Sequence, residues 1–128
     1  MNNINGIMPT PGSGAASDKP QEVMFFVTDG VEDEMVKDSR VQSLMDPNWC
    51  TTIKNRGIRI ALIYTTYLPL PTNSWYNTYI SPFQANIGST LQSCASPGLF
   101  FEVSTDQDIS EAMTKLFDYA VQTAFLQK

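Results

Sequence analysis

The order of apolar and polar positions divides the chain into strand-like and helix-like runs. Val23-Met24-Phe25-Phe26-Val27 is an unbroken apolar stretch that stops at Thr28-Asp29-Gly30. Continuous rather than alternating apolar character fits a parallel strand covered on both faces, in a sheet whose ligand sites lie at the carboxyl ends of its strands. The pattern therefore predicts a strand over 22–28 that delivers Asp29 to a loop. Ile58-Arg59-Ile60-Ala61-Leu62-Ile63-Tyr64-Thr65, rich in β-branched residues, predicts a second buried strand, and Leu99-Phe100-Phe101-Glu102-Val103 a short third one.

Helical signals separate these runs. Asp46-Pro47 offers an N-cap followed by proline at the first helical position, and Gly57 offers a stop, which predicts a helix over 47–56 with Trp49, Cys50 and Ile53 on one side. Ser81-Pro82-Phe83-Gln84 has capping-box spacing, and Phe83, Ile87 and Leu91 recur every four residues, so a helix spans 82–95. A third helix, 106–125, is capped by Thr105 with Asp106 and Asp108 in its first turn. Its stripe of Ile109, Met113, Leu116, Phe117, Ala120, Val121, Ala124 and Phe125 reads as core.

The remaining stretches are less regular. Gly6, Pro9, Pro11, Gly12, Gly14 and Pro20 make residues 1–20 a flexible N-terminal segment. Residues 31–45 are mostly polar, with Met35, Val36, Val41 and Leu44 spaced for one or two helical turns. Between 66 and 80, Pro69 and Pro71 interrupt regular structure and a helical turn begins near Asn73. Strand, helix, strand, helix, strand, helix predicts an α/β fold over a single domain, 21–128. It is half of a doubly wound, Rossmann-like sheet, with about three parallel strands, crossover helices and a long C-terminal helix.

Composition narrows the function classes. A chain of 128 residues can bury a core without metal or staples. Its 8 basic residues are scattered against 13 acidic ones for a net charge of −5, which argues against nucleic acid and anionic membrane as partners. Histidine is absent from the sequence, and with it the usual imidazole base and the commonest zinc ligand. No apolar run reaches membrane-span length, and the first residues lack the basic and apolar regions of a signal peptide.

Candidate chemistry centres on acids and aromatics. Asp29 is either a cation or partner contact or a loop carboxylate bonded to nearby backbone N–H groups. A phospho-acceptor role would need an acidic pair before it and a lysine ending a later strand, and the sequence has neither. Glu32, Asp33, Glu34 and Asp38 form a cation-facing surface or a solvated run. Tyr64, Tyr67, Trp75, Tyr76 and Tyr79 are either an interaction surface or packing of a long crossover. No serine or threonine sits beside an evident base.

Three motifs in order carry a family resemblance: Val27-Thr28-Asp29-Gly30-Val31; Cys50-Thr51-Thr52-Ile53-Lys54-Asn55-Arg56-Gly57-Ile58 leading into Ala61-Leu62-Ile63-Tyr64-Thr65; and Leu91-Gln92-Ser93-Cys94-Ala95-Ser96-Pro97-Gly98. Over residues 12–125 the chain resembles the C-terminal half of a von Willebrand factor A domain of the TadG-like type, from tight-adherence pilus assembly. The resemblance implies that Asp29 supplies one outer ligand to Mg²⁺ or Ca²⁺ in a complete domain. The Asp-x-Ser-x-Ser loop that carries the primary ligands does not occur here. No cofactor is therefore expected in this chain alone, which reads as a C-terminal piece of a longer protein.

Further expectations follow from the resemblance. The strand at 22–28 would lie mid-sheet in the complete domain, so its free edge here is either a template for self-association or covered by the N-terminal stretch folding back. Cys50 and Cys94 fall on successive crossover helices, which right-handed connections place side by side. They are either buried thiols or a disulfide closing a loop of about 45 residues and stabilising by about 4 kcal/mol. The extracytoplasmic setting of the family (periplasm or cell envelope) favours the disulfide. The function expected is non-enzymatic protein interaction in pilus or cell-envelope assembly. The alternatives are a small α/β enzyme of hydrolase or phosphotransfer type using Asp29, or a stand-alone oligomerisation scaffold.

Overall fold

The computed structural model describes residues 1–13, 21–66, 69–104 and 107–126. Its elements are α1 (Asn2–Ile7), β1 (Val23–Thr28), β2 (Val31–Val36), β3 (Ser39–Leu44), α2 (Pro47–Asn55), β4 (Arg59–Thr65), α3 (Ser74–Tyr79), α4 (Ser81–Cys94), β5 (Phe100–Val103) and α5 (Ile109–Leu126). β1, β4 and β5 form a parallel sheet in the order β1-β4-β5, with Val23 level with Arg59 and Leu62 level with Phe100. Parallel neighbours need long crossovers, and α2 and α4 lie in them. The chain is a mixed α/β fold with a partial Rossmann-like sheet and a C-terminal helix.

β4 is the middle strand, buried from Ile60 through Tyr64, which is why its apolar run is continuous. Ile60, Leu62 and Tyr64 pack with Cys50 and Ile53 of α2 and Ile87, Leu91 and Cys94 of α4. Ala61 and Ile63 pack on the other face with Leu116 and Ala120 of α5. The strand at 22–28 lies at the sheet edge, as expected of this chain alone, but it is not covered on both faces. Met24 is buried, but Phe25 and Val27 are 39% and 44% exposed, because α5 packs on β4 and β5.

Two local expectations are corrected. Residues 31–45 form a β-hairpin rather than helical turns: β2 and β3 pair antiparallel from Val31↔Leu44 to Val36↔Ser39. The joint, Lys37-Asp38, has φ of 47° and 67°, the left-handed geometry of a two-residue hairpin turn that glycine or asparagine usually announces. Arg40 pairs with Asp33, and the Gln42 amide donates to Asp33 Oδ1 at 3.0 Å, so polar cross-strand contacts replace an apolar face. The capping box at Ser81 does not form either. α3 runs straight into α4, Ile80 occupies the cap position without a side-chain bond, and Gln84 Oε1 accepts the Tyr76 hydroxyl instead.

The signal at the start of α2 acts as read. Asp46 Oδ1 accepts from the Asn48 N–H at 2.9 Å and caps α2. The last helix departs from its expected start: Thr105 and Asp106 lie outside the described residues, and α5 begins at Ile109, so Asp108, expected within the first turn, precedes it and accepts from the Ser110 N–H on Oδ1 at 2.8 Å. Where composition suggests loop, Asn2–Ile7 is helical. The Arg56 guanidinium donates to the Met8 carbonyl at 2.7 Å and the Pro9 carbonyl at 3.2 Å, holding the segment after α1 against the end of α2. Among the described residues, no helix is long and apolar enough to cross a membrane.

Candidate functional site

Thr28, Asp29 and Gly30 form a tight turn from β1 into β2. The Gly30 N–H donates to Thr28 Oγ1 at 2.9 Å, and the Val31 N–H donates to Asp29 Oδ1 at 3.0 Å. Gly30 has φ of 85° and is buried against Ile87 and Leu91 of α4, where a Cβ would overlap the Ile87 side chain. Each residue of the motif thus has a task in the turn. The exposed Asp29 carboxylate keeps one oxygen on the backbone and turns the other to solvent.

The neighbouring strand ends offer little else for chemistry. Thr65 Oγ1 donates to the Thr28 carbonyl at 3.2 Å and Thr66 Oγ1 to the Val103 carbonyl at 3.1 Å. Hard divalent cations need near-octahedral or larger oxygen cages, a demand one turn-bonded carboxylate does not fit. Among the described residues, no group of three potential ligand side chains could hold a metal ion. In the hairpin, burial and the nearby Glu34 push the Glu32 carboxyl above its ordinary range, whereas the Arg40 hydrogen bond holds Asp33 below its own. Glu34 and Asp38 are exposed.

At the opposite end of the strands the other two motifs are sewn together. Cys50 and Cys94, both fully buried, form a disulfide between α2 and α4. Lys54 Nζ donates to the Ser93 carbonyl at 2.8 Å. Ser96, the one buried polar residue among those described, accepts the Ile60 N–H on Oγ at 2.9 Å and donates its own N–H to the Ile60 carbonyl at 2.8 Å. These contacts fix α2, α4 and the start of β4 as one body.

The aromatic group divides between core and surface. Tyr64 and Tyr76 are buried, whereas Trp75 and Tyr79 are half-exposed with ring centroids 5.6 Å apart. Tyr67 lies outside the described residues. The structure therefore does not bring the five together as one surface.

A second surface lies along β1. The Glu22 carbonyl accepts from the Arg59 N–H at 3.1 Å, so Glu22 directs its backbone groups toward β4. Backbone direction alternates along a strand, so Met24, Phe26 and Thr28 also address β4, and Val23, Phe25 and Val27 turn their N–H and C=O groups outward. Among the described residues, no strand pairs with that outer side. Phe25 and Val27 are exposed beside it, and the Phe25 ring lies 5.9 Å from the ring of Phe117 on α5.

Phe117 belongs to a row that sequence reasoning assigned to the core. Leu116 and Ala120 are buried, but Ile109, Met113, Phe117 and Val121 are 40–55% exposed. The side chain of Phe125 lies outside the described residues. The legible signal was the width of the stripe: it spans more of the helix circumference than a three-stranded sheet covers.

No protein-family model, curated protein or solved structure matches the chain. The residues of the three sequence motifs build the β1–β2 turn and the α2–α4 staple.

Proposed function

We propose that this chain is a non-enzymatic protein-interaction module that receives a partner strand along the outer edge of β1. One observation carries the reading: the outward N–H and C=O groups of Val23, Phe25 and Val27 run beside exposed Phe25 and Val27, with Phe117 of α5 against Phe25 and exposed Val121 four residues on along the same helix face. Natural proteins usually blunt such an edge with charge, proline or a bulge, and β1 (Val-Met-Phe-Phe-Val-Thr) contains neither charge nor proline. An edge of this kind binds by main-chain pairing, with side-chain contacts supplying specificity.

The sequence resemblance gives this surface a setting, assembly in the cell envelope or a pilus. The buried Cys50–Cys94 disulfide supports an extracytoplasmic location, where such bonds persist. Asp29 does not carry the reading, since its carboxylate serves the turn into β2.

Selection of peptides from a displayed random library on the immobilised chain tests the proposal. Selected peptides are expected to be extended and apolar at alternate positions, and to slow exchange of the Val23, Phe25 and Val27 amides. Binders that map away from β1, or no binders, would count against it.

A further inference from the structure

We infer that the β1 edge pairs with a second copy of this chain, antiparallel about a two-fold axis at Phe25, to form a six-stranded sheet. The inference rests on the strand-receiving reading above and names the partner. A two-fold antiparallel pair must set residues of equal parity opposite each other, which keeps corresponding faces of both copies on one side of the joined sheet. Centring on Phe25 places Phe25 opposite Phe25 and Val23 opposite Val27. These are the residues whose backbone groups point outward, so the register forms about six hydrogen bonds between the copies. Centring on Met24 sets Val27 against Gln21, beyond the strand, and centring on Phe26 sets Val23 against Asp29.

Charge placement agrees with the Phe25 register. β1 is uncharged between Glu22 and Asp29. With Phe25 at the centre, Glu22 faces Thr28 and Asp29 faces Gln21, so no carboxylates oppose each other across the joint. The odd-with-even register centred between Phe25 and Phe26 would set Glu22 against Asp29, and like charges directly opposite destabilise a strand pair.

Both copies then present α5 on the same face, and Phe25, Val27, Phe117 and Val121 of each line one trough over the joint. The exposed portions of these four side chains come to on the order of 300 Å² a copy, against roughly 800 Å² per partner in a standard stable interface. The pair belongs to the small-interface class, with dissociation in the micromolar range. Because each copy carries a net charge of −5, added salt is expected to tighten it.

Sedimentation equilibrium of the chain from about 1 µM to about 1 mM, bracketing that range, provides the test. The expected result is a reversible monomer–dimer equilibrium. Phe25→Lys and Phe25→Glu place like charges opposite each other at the axis, and each is expected to raise the dissociation constant at least about tenfold. An equimolar mixture of the two should recover a heterodimer. Recovery separates a broken interface from a broken fold, and unchanged melting of each variant at monomer concentration provides a second check.

A chain that stays monomeric to the highest concentration overturns the inference, as does a dimer indifferent to both substitutions. If the chain is monomeric yet display-selected peptides still protect the β1 edge, only the second copy is excluded. If neither binds, the edge reading falls as well.

Discussion

The two faces of the sheet are built to different standards. On the α2/α4 face, Ile53, Ile60, Leu62, Ile87 and Leu91 have almost no exposed surface, and a disulfide ties the two helices together. On the α5 face, Leu116 and Ala120 are buried over β4 and β5, but Phe117, Val121, Phe25 and Val27 remain in contact with water toward β1. Both faces draw on equally apolar sequence. The difference is the number of helices over the same three strands, two on one face and one on the other, and it separates residues that stabilise the fold from residues left free to bind.

Breaking the disulfide should have the largest effect. Its cysteines lie 44 positions apart, and opening a loop of that size costs about 4 kcal/mol on the chain-entropy estimate. Urea denaturation of the Cys50→Ala/Cys94→Ala double variant is expected to show that loss, increased by the deletion of two buried sulfurs. Paired truncations compare the faces directly. Ile87→Ala, at a site with no exposed surface, should cost about 3 kcal/mol in the same measurement, while Phe117→Ala in the monomer should cost less than about 1 kcal/mol. Equal costs would mean that the α5 row is core after all.

Gly30→Ala tests whether the Thr-Asp-Gly motif is structural. The substitution puts a Cβ at φ of 85° and into the Ile87 side chain, so a loss of about 2 kcal/mol is expected. Asp29→Ala, which removes one exposed bond, should cost less than about 1 kcal/mol.

The smallest effect concerns pH. Glu32 is raised from its ordinary 4.5, mainly by burial and then by Glu34, so its contribution favours the folded state at low pH and is lost as pH rises through the raised value. Asp33 has the opposite sign. Arg40 lowers it from 3.8, so its contribution is present above that value and lost as pH falls through the depressed one. Stability followed against pH should therefore lose a step above 4.5 in Glu32→Gln and one below 3.8 in Asp33→Asn.

Much of the fold was legible because strong local signals coincide with tertiary demands. The run at Ile60 to Tyr64 is continuous because β4 has neighbours on both sides, and Asp46-Pro47 caps α2 as its chemistry dictates. What sequence did not reveal depends on partners distant in the chain. The hairpin hides its turn behind Lys37 and Asp38 and its alternation behind acids. Gln84 abandons the capping box for the hydroxyl of Tyr76, which the abrupt α3–α4 junction places beside it. The Ile109 stripe reads as core on a helical wheel, and only the sheet order shows that half of it has nothing to pack on. Of the candidate site, Asp29 stood out in the sequence but serves a turn, whereas the β1 edge needed the topology before its direction could be assigned.

Residue-resolved amide exchange of β1 in dilute, monomeric protein tests the central claim most directly. An open edge predicts alternation: Val23, Phe25 and Val27 exchange orders of magnitude faster than Met24, Phe26 and Thr28, which face β4. Uniform protection from residue 23 to residue 28 would show that the outer side is already covered and would contradict the account.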